Sequence, residues 1–141
     1  MSEQSEQIRL AKMLDRAGIF YSATANGGQR VGRGGEQMKA SGVKAGVPDL
    51  LIFDPPPSGG VGLAIEMKAP KAPRPGKVLG ADGKHPRWAS CVSAHQKRWL
   101  AELERRGWIV AVCYSCADAV ELMEGLGYHL GVARRRMRRD G

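Results

Sequence analysis

The sequence predicts an α/β fold, a central sheet with helices on both faces. Three observations lead there. Segments with helical periodicity and segments rich in β-branched and aromatic residues alternate along the chain. Two strand-like stretches, "DLLIFD" (49–54) and "VGLAIEMK" (61–68), flank "PPPSGG" (55–60), a turn that no strand could contain. The remaining strands and helices lie on both sides of this pair, so neither a pure bundle nor a pure sandwich fits.

The elements follow in order. Residues 3–17, "EQSEQIRLAKMLDRA", carry Ile8, Leu10, Ala11, Leu14 and Ala17 at mostly helical spacing. Ser2 suits the N-cap and Gly18 the position just past the end. "IFYSAT" (19–24) reads as a strand, 26–35 as a glycine-rich loop, and "EQMKAS" (36–41) as a short helix ended by Gly42. The close pair 49–54 and 61–68 reads as an antiparallel hairpin. Residues 69–92, rich in Pro, Gly and Lys, read as a long loop. "SAHQKRWLAELERRG" (93–107) is a helix with a capping-box start, Ser93 with Gln96. "WIVAVCY" (108–114) is a strand and "SCADAVELMEGL" (115–126) a helix, giving the order α-β-(α)-β-β-α-β-α. We expect one domain over residues 1–130 and a basic, disordered tail over 131–141.

Composition narrows the function. The 141 residues carry a net charge of +8, and the tail "RRRMRR" supplies five positive charges. A second basic stretch, Lys68 to Arg87, holds six Lys and Arg against one acid, Asp82. Such a balance suits a polyanion such as nucleic acid, or simply a solvated basic surface. Apolar runs are too short to span a bilayer, so no membrane partner is expected. The polar start "MSEQSEQ" carries no secretion pattern, and three cysteines argue against a disulfide framework. These point to a soluble, cytoplasmic protein.

The hairpin register gathers acids. If 55–60 is a symmetric loop, paired residues sum to 115 and Asp49 lies opposite Glu66. Glu66 and Lys68 share one face of their strand, Ile65 and Met67 the other. Asp49, Glu66 and Lys68 then meet on one surface. Two hard oxygen ligands beside a cation form a candidate divalent metal site for phosphoryl chemistry. The alternative is a hairpin with one wet face, where these are ordinary solvated charges.

"GVPDLLIF…GLAIEMK" (46–67 and Lys68) resembles the PD-(D/E)XK nucleases, and more closely their VRR-Nuc group. "EQIRLAKMLDRAG" resembles that group's first helix, "ASGVKAGVPDL" the approach to its aspartate, and "SAHQKRWLAELERRGWIVAV" its Ser-x-x-Gln helix and following strand. The likeness spans roughly residues 3–126 in the expected order. It implies a restriction-endonuclease-like core with a central mixed β-sheet, and Mg²⁺- or Mn²⁺-dependent cleavage of DNA. It carries over Asp49 and Glu66 as metal ligands, Lys68 as the catalytic lysine and Gln96 as the glutamine supporting the site. Glu6 matches the helix-1 glutamate that completes the metal shell. Glu3 is the lesser candidate, because Glu6 lies at the better distance from Gly18. Stand-alone relatives of this size imply a homodimer, and a small domain implies recognition of branched, flapped or nicked DNA over a long sequence.

Other residues complete the picture. Arg30 and Arg33 beside the glycine loop, with Lys71, Arg74, Lys77, Lys84 and Arg87 in the basic loop, are candidate phosphate contacts. Trp88 in that loop is placed to stack on a base or to pack back on the body. Trp99 and Trp108 read as core. "CYSC" (113–116), where a strand enters a helix, is where a thiol redox pair would sit, or two small buried residues. The function classes in play are therefore a metal-dependent endonuclease, a non-catalytic DNA-binding protein on the same scaffold, and a thiol redox protein.

Overall fold

A computed structural model describes residues 2–25, 33–70 and 92–131, without the side chains of 33–35. The phosphate contacts expected of Arg30, Lys71, Arg74, Lys77, Lys84 and Arg87 lie outside the described residues, as do Trp88 and the tail from residue 132. Arg33 begins a helix, and its side chain is likewise outside them.

Four helices and four strands alternate: α1 (Glu3–Ala17), β1 (Tyr21–Ala23), α2 (Arg33–Ala40), β2 (Leu50–Ile52), β3 (Leu63–Met67), α3 (Ala94–Arg105), β4 (Ile109–Cys113) and α4 (Cys116–Gly125). α1 starts and stops where its sequence says. Ser2 caps it through the Ser5 amide, and Gly18 closes it in the left-handed region. α2 begins three residues earlier than expected and absorbs Gly34 and Gly35. Glu36 in its first turn favours that start through the helix dipole. The strands are shorter than their apolar runs, because pairing and not propensity sets their ends. β1 holds three residues, although Phe53 N–H still reaches Phe20 O at 2.9 Å beyond it.

The sheet runs β1-β2-β3-β4, with β1/β2 and β2/β3 antiparallel and β3/β4 parallel. It is therefore mixed, as the expected core requires. Leu50 faces Ile65 and Ile52 faces Leu63, so the symmetric register holds and Asp49 comes level with Glu66. α3 makes the crossover to β4. Lys68 N–H extends the parallel ladder to Cys113 O at 2.8 Å, which fixes the backbone of Lys68.

Alternation along β3 divides the molecule. Leu63, Ile65 and Met67 join Leu50, Ile52, α1 Leu10 and Leu14, and α4 Ala119 and Met123 in one core. Burial of such side chains stabilises by about 1.5–3 kcal/mol each. Ala64, Glu66 and Lys68 face the other way, toward α3. That face is closed too, since Glu66 is only 2% exposed. The wet-face reading of the hairpin fails on that burial. Trp99 and Trp108 are half-buried instead of core. Trp108 lies over Gly62, where a Cβ would come within 2.6 Å of its ring, and meets Phe53 edge-on at 6.1 Å. Among the described residues no helix is long and apolar enough to cross a membrane.

Candidate active site

Four chain segments meet at one end of the α3 face. The residue before β2 brings Asp49, the end of β3 brings Glu66 and Lys68, the first turn of α3 brings Gln96, and the first turn of α1 brings Glu3. Asp49, Glu66, Gln96 and Glu3 line a cleft of about 320 Å³ with Gly46, Ser93 and His95. Gly46 is required there. Its φ is +88°, and a Cβ would stand 2.6 Å from the His95 carbonyl carbon. The loop before Asp49 is thus pressed onto the first turn of α3.

Hydrogen bonds fix each group. Asp49 Oδ2 accepts from Met67 N–H at 2.7 Å. Gln96 Nε2 donates to Glu66 Oε1 at 2.8 Å, while Gln96 Oε1 accepts from Lys68 Nζ at 3.1 Å. The same Oε1 accepts from Ser93 N–H at 2.8 Å, closing the capping box. One amide therefore caps a helix and joins the lysine to the glutamate. Lys68 Nζ is also 3.7 Å from Glu66 Oε1.

Glu66 Oε2 is buried and, with both carboxyls ionised, has no hydrogen-bond partner among the described residues. Burial pushes the Glu66 carboxyl up to about 8, the charge of Asp49 adds to this, and Lys68 offsets only part. Burial raises Asp49 as well, against the Met67 amide, the Glu66 carboxyl and Lys68, which lower it. Glu3 is raised by burial and then by Asp49. Without a cation, burial and the mutual repulsion of the two carboxyls disfavour ionising both.

These residues fit a divalent ion. The donors are hard carboxylate oxygens, one of them is buried without a partner, and Lys68 is the one cation paired with them among the described residues. Among the described residues no group of three or more His, Cys, Asp or Glu is placed to hold a metal ion. Asp49 and Glu66 would thus supply two ligands and leave positions open for water and substrate.

The structure does not bring Glu6 to this cleft. Glu6 is buried one turn further along α1, where its carboxylate accepts from Cys116 N–H at 3.2 Å and from Arg9 at 3.4 Å. It caps the start of α4. Glu3, not Glu6, is the α1 glutamate that lines the cleft. Glu6 is buried with Leu10 and Leu14, and half-buried Glu3 stands on the same side of α1 one turn earlier, so periodicity could not separate them. Their depth along the helix axis does, and that depends on where α4 docks. Cys113 and Cys116 are structural. Cys113 is 3% exposed and its thiol is pushed up to about 12 by burial, while burial also raises Cys116. Burial thus disfavours the thiolate that redox exchange needs at both positions.

The family model of the VRR-NUC domain matches residues 3–117 of this chain. A solved structure described as a VRR_NUC domain protein is similar in fold, with a TM-score of 0.59 and 20% sequence identity over 93% of this chain and 91% of that one. No curated protein matches the sequence.

Proposed function

The chain belongs to the VRR-NUC domain family, a nuclease-type family, and from that premise we propose that it is a divalent-metal-dependent endodeoxyribonuclease acting on branched, flapped or nicked DNA. The observation that carries the proposal is the unpartnered, buried Glu66 Oε2 beside Asp49 and Lys68. Asp49 and Glu66 would hold Mg²⁺ or Mn²⁺, with Glu3 on the open side. When bound, the ion polarises a phosphate oxygen and lowers the pKa of an attacking water.

The chain's own groups do the rest. Lys68, steered by Gln96, orients the water or stabilises charge on the phosphate in the transition state. Gln96 is a positioning residue, because it acts through Lys68 and Glu66. The buried face behind Glu66 excludes bulk water and strengthens each of these interactions. A homodimer belongs to the same proposal, since cutting both strands of a duplex takes two such sites. Sedimentation that gives a monomer mass at working concentration would remove that part.

The test is Glu66→Gln, which keeps the shape and the Gln96 contact. With Mg²⁺ or Mn²⁺ it should lose cleavage by about 10³-fold, on the scale of removing a transition-state electrostatic group, while DNA binding stays. Full cleavage by the variant would refute the site. Binding without cleavage by the parent, across nicked, flapped, branched and linear DNA, would favour the non-catalytic DNA-binding alternative.

A further inference from the structure

A second cavity, of about 740 Å³, runs along α3 and is lined by Lys44, His95, Arg98, Trp99, Arg105 and Arg106, among others. It shares Ala45 and His95 with the cleft that holds Asp49 and Glu66, so the two lie side by side. Its charge is one-sided. Four Lys and Arg side chains line it against a single acid, Glu102. That carboxylate already accepts from Arg105 at 3.0 Å and from Arg106, and both hold its pKa low. Lys44 and Arg98 are exposed and have no acidic partner among the described residues. Trp99, half-buried, adds an aromatic wall. The shape is built in, because Gly46 locks the loop carrying Lys44 against His95.

We propose that this groove carries an unpaired strand of the DNA substrate away from the cleavage cleft. Lys44, His95 and Arg98 would contact its phosphates, and Trp99 would stack on one base. The inference rests on the nuclease reading and names the feature of DNA structure that the site selects. A basic track alone would serve a duplex, whose phosphates it would follow. An aromatic wall inside the track does not, because paired bases are stacked on one another and offer no free face. Basic side chains interleaved with an aromatic ring are how single strands are held. The volume is that of a pocket for small groups and suits a few nucleotides more than a duplex.

The experiment measures binding of two labelled DNAs, in chelator so that nothing is cut. One is a blunt duplex, the other the same duplex with a ten-nucleotide oligo(dT) arm. The parent should bind the armed DNA more tightly. Lys44→Gln with Arg98→Gln, both at exposed positions, should weaken armed binding about 10- to 100-fold, and the blunt duplex by at least tenfold less. The salt slope for the armed DNA should fall by roughly 1.4, the share of two single-strand phosphates. Trp99→Leu keeps apolar volume and should cost about 5- to 100-fold on the armed DNA; circular dichroism confirms that it is folded. Equal losses on both DNAs, no loss on either, or a parent indifferent to the arm would each overturn the groove. In those cases cleavage by the parent with Mg²⁺ or Mn²⁺ still upholds the nuclease reading. A parent that neither binds nor cuts any DNA overturns both.

Discussion

Glu66 poses the sharpest question at the level of single residues. Burial and the nearby Asp49 raise its carboxyl in the fold from the ordinary 4.5 to about 8. The folded state therefore binds more protons between those values, and stability falls as pH rises through that window. In chelator the protein should melt higher at pH 5.5 than at pH 8, and Glu66→Gln should flatten the difference. Asp49→Asn sharpens the test. The new side-chain carbonyl would still accept from Met67 N–H, and its amide would donate to the orphaned Glu66 oxygen. At pH 8 without metal the variant should gain on the order of 1 kcal/mol. It should gain less than the parent from excess Mn²⁺, because a charged ligand is gone. Thermal melts of both proteins, with chelator and then with metal, decide it. A variant melting well below the parent would show that the Asp49 charge is structural, and equal gains from metal would place the ion elsewhere. At this scale the sequence was legible for Asp49, Glu66 and Lys68, since their side chains are placed by strand alternation. It was not legible for Glu3, nor for Lys44 and Arg98, which stand in the sequence as isolated charges with no pattern to single them out.

Two helix starts bear directly on the chemistry. Ser93 and Gln96 form the capping box of α3, but only Gln96 also touches Lys68 and Glu66. Ser93→Ala should cost about 1 kcal/mol of stability and leave the cleavage rate near the parent's. Gln96→Ala should cost a similar stability and a further 10- to 100-fold in rate, roughly the usual range for residues that orient catalytic groups. Rates compared at a temperature where both variants are folded separate the roles; equal rates would reduce Gln96 to a cap. At the start of α4, Cys113→Ala with Cys116→Ala should lose about 1–3 kcal/mol through lost packing yet keep cleavage. Loss of activity in folded protein would revive a role for the thiols. The hairpin was readable because three prolines and two glycines confine its turn, and one register then follows. Strand ends were not, because residues such as Phe20 and Phe53 have strand-forming side chains but lie past the last paired residue, 68% and 43% exposed.

For the whole molecule, charge and topology matter most. If DNA is the partner, affinity should fall steeply with salt. Deleting residues 134–141, which takes the net charge from +8 to +4, should weaken binding and flatten log affinity against log salt. An unchanged slope would show that these residues do not touch DNA. The order of elements was legible from end to end, since turn residues punctuate every junction. The parallel pairing of β3 with β4 was implied only by the resemblance, because periodicity says nothing of strand direction. That pairing has a further consequence for the cell that makes this protein. A ribosome releases Glu3, Asp49, Glu66 and Lys68 well before Gln96, and β4 and α4, which wall in β3, emerge later still. The hairpin can bring Asp49 level with Glu66 early, but Gln96, which joins Lys68 to Glu66, arrives only with α3. A chain ending before α3 would carry the acids without the helix that lines the cleft around them. If the chain cuts DNA as proposed, the order of its elements ties that activity to a completed fold.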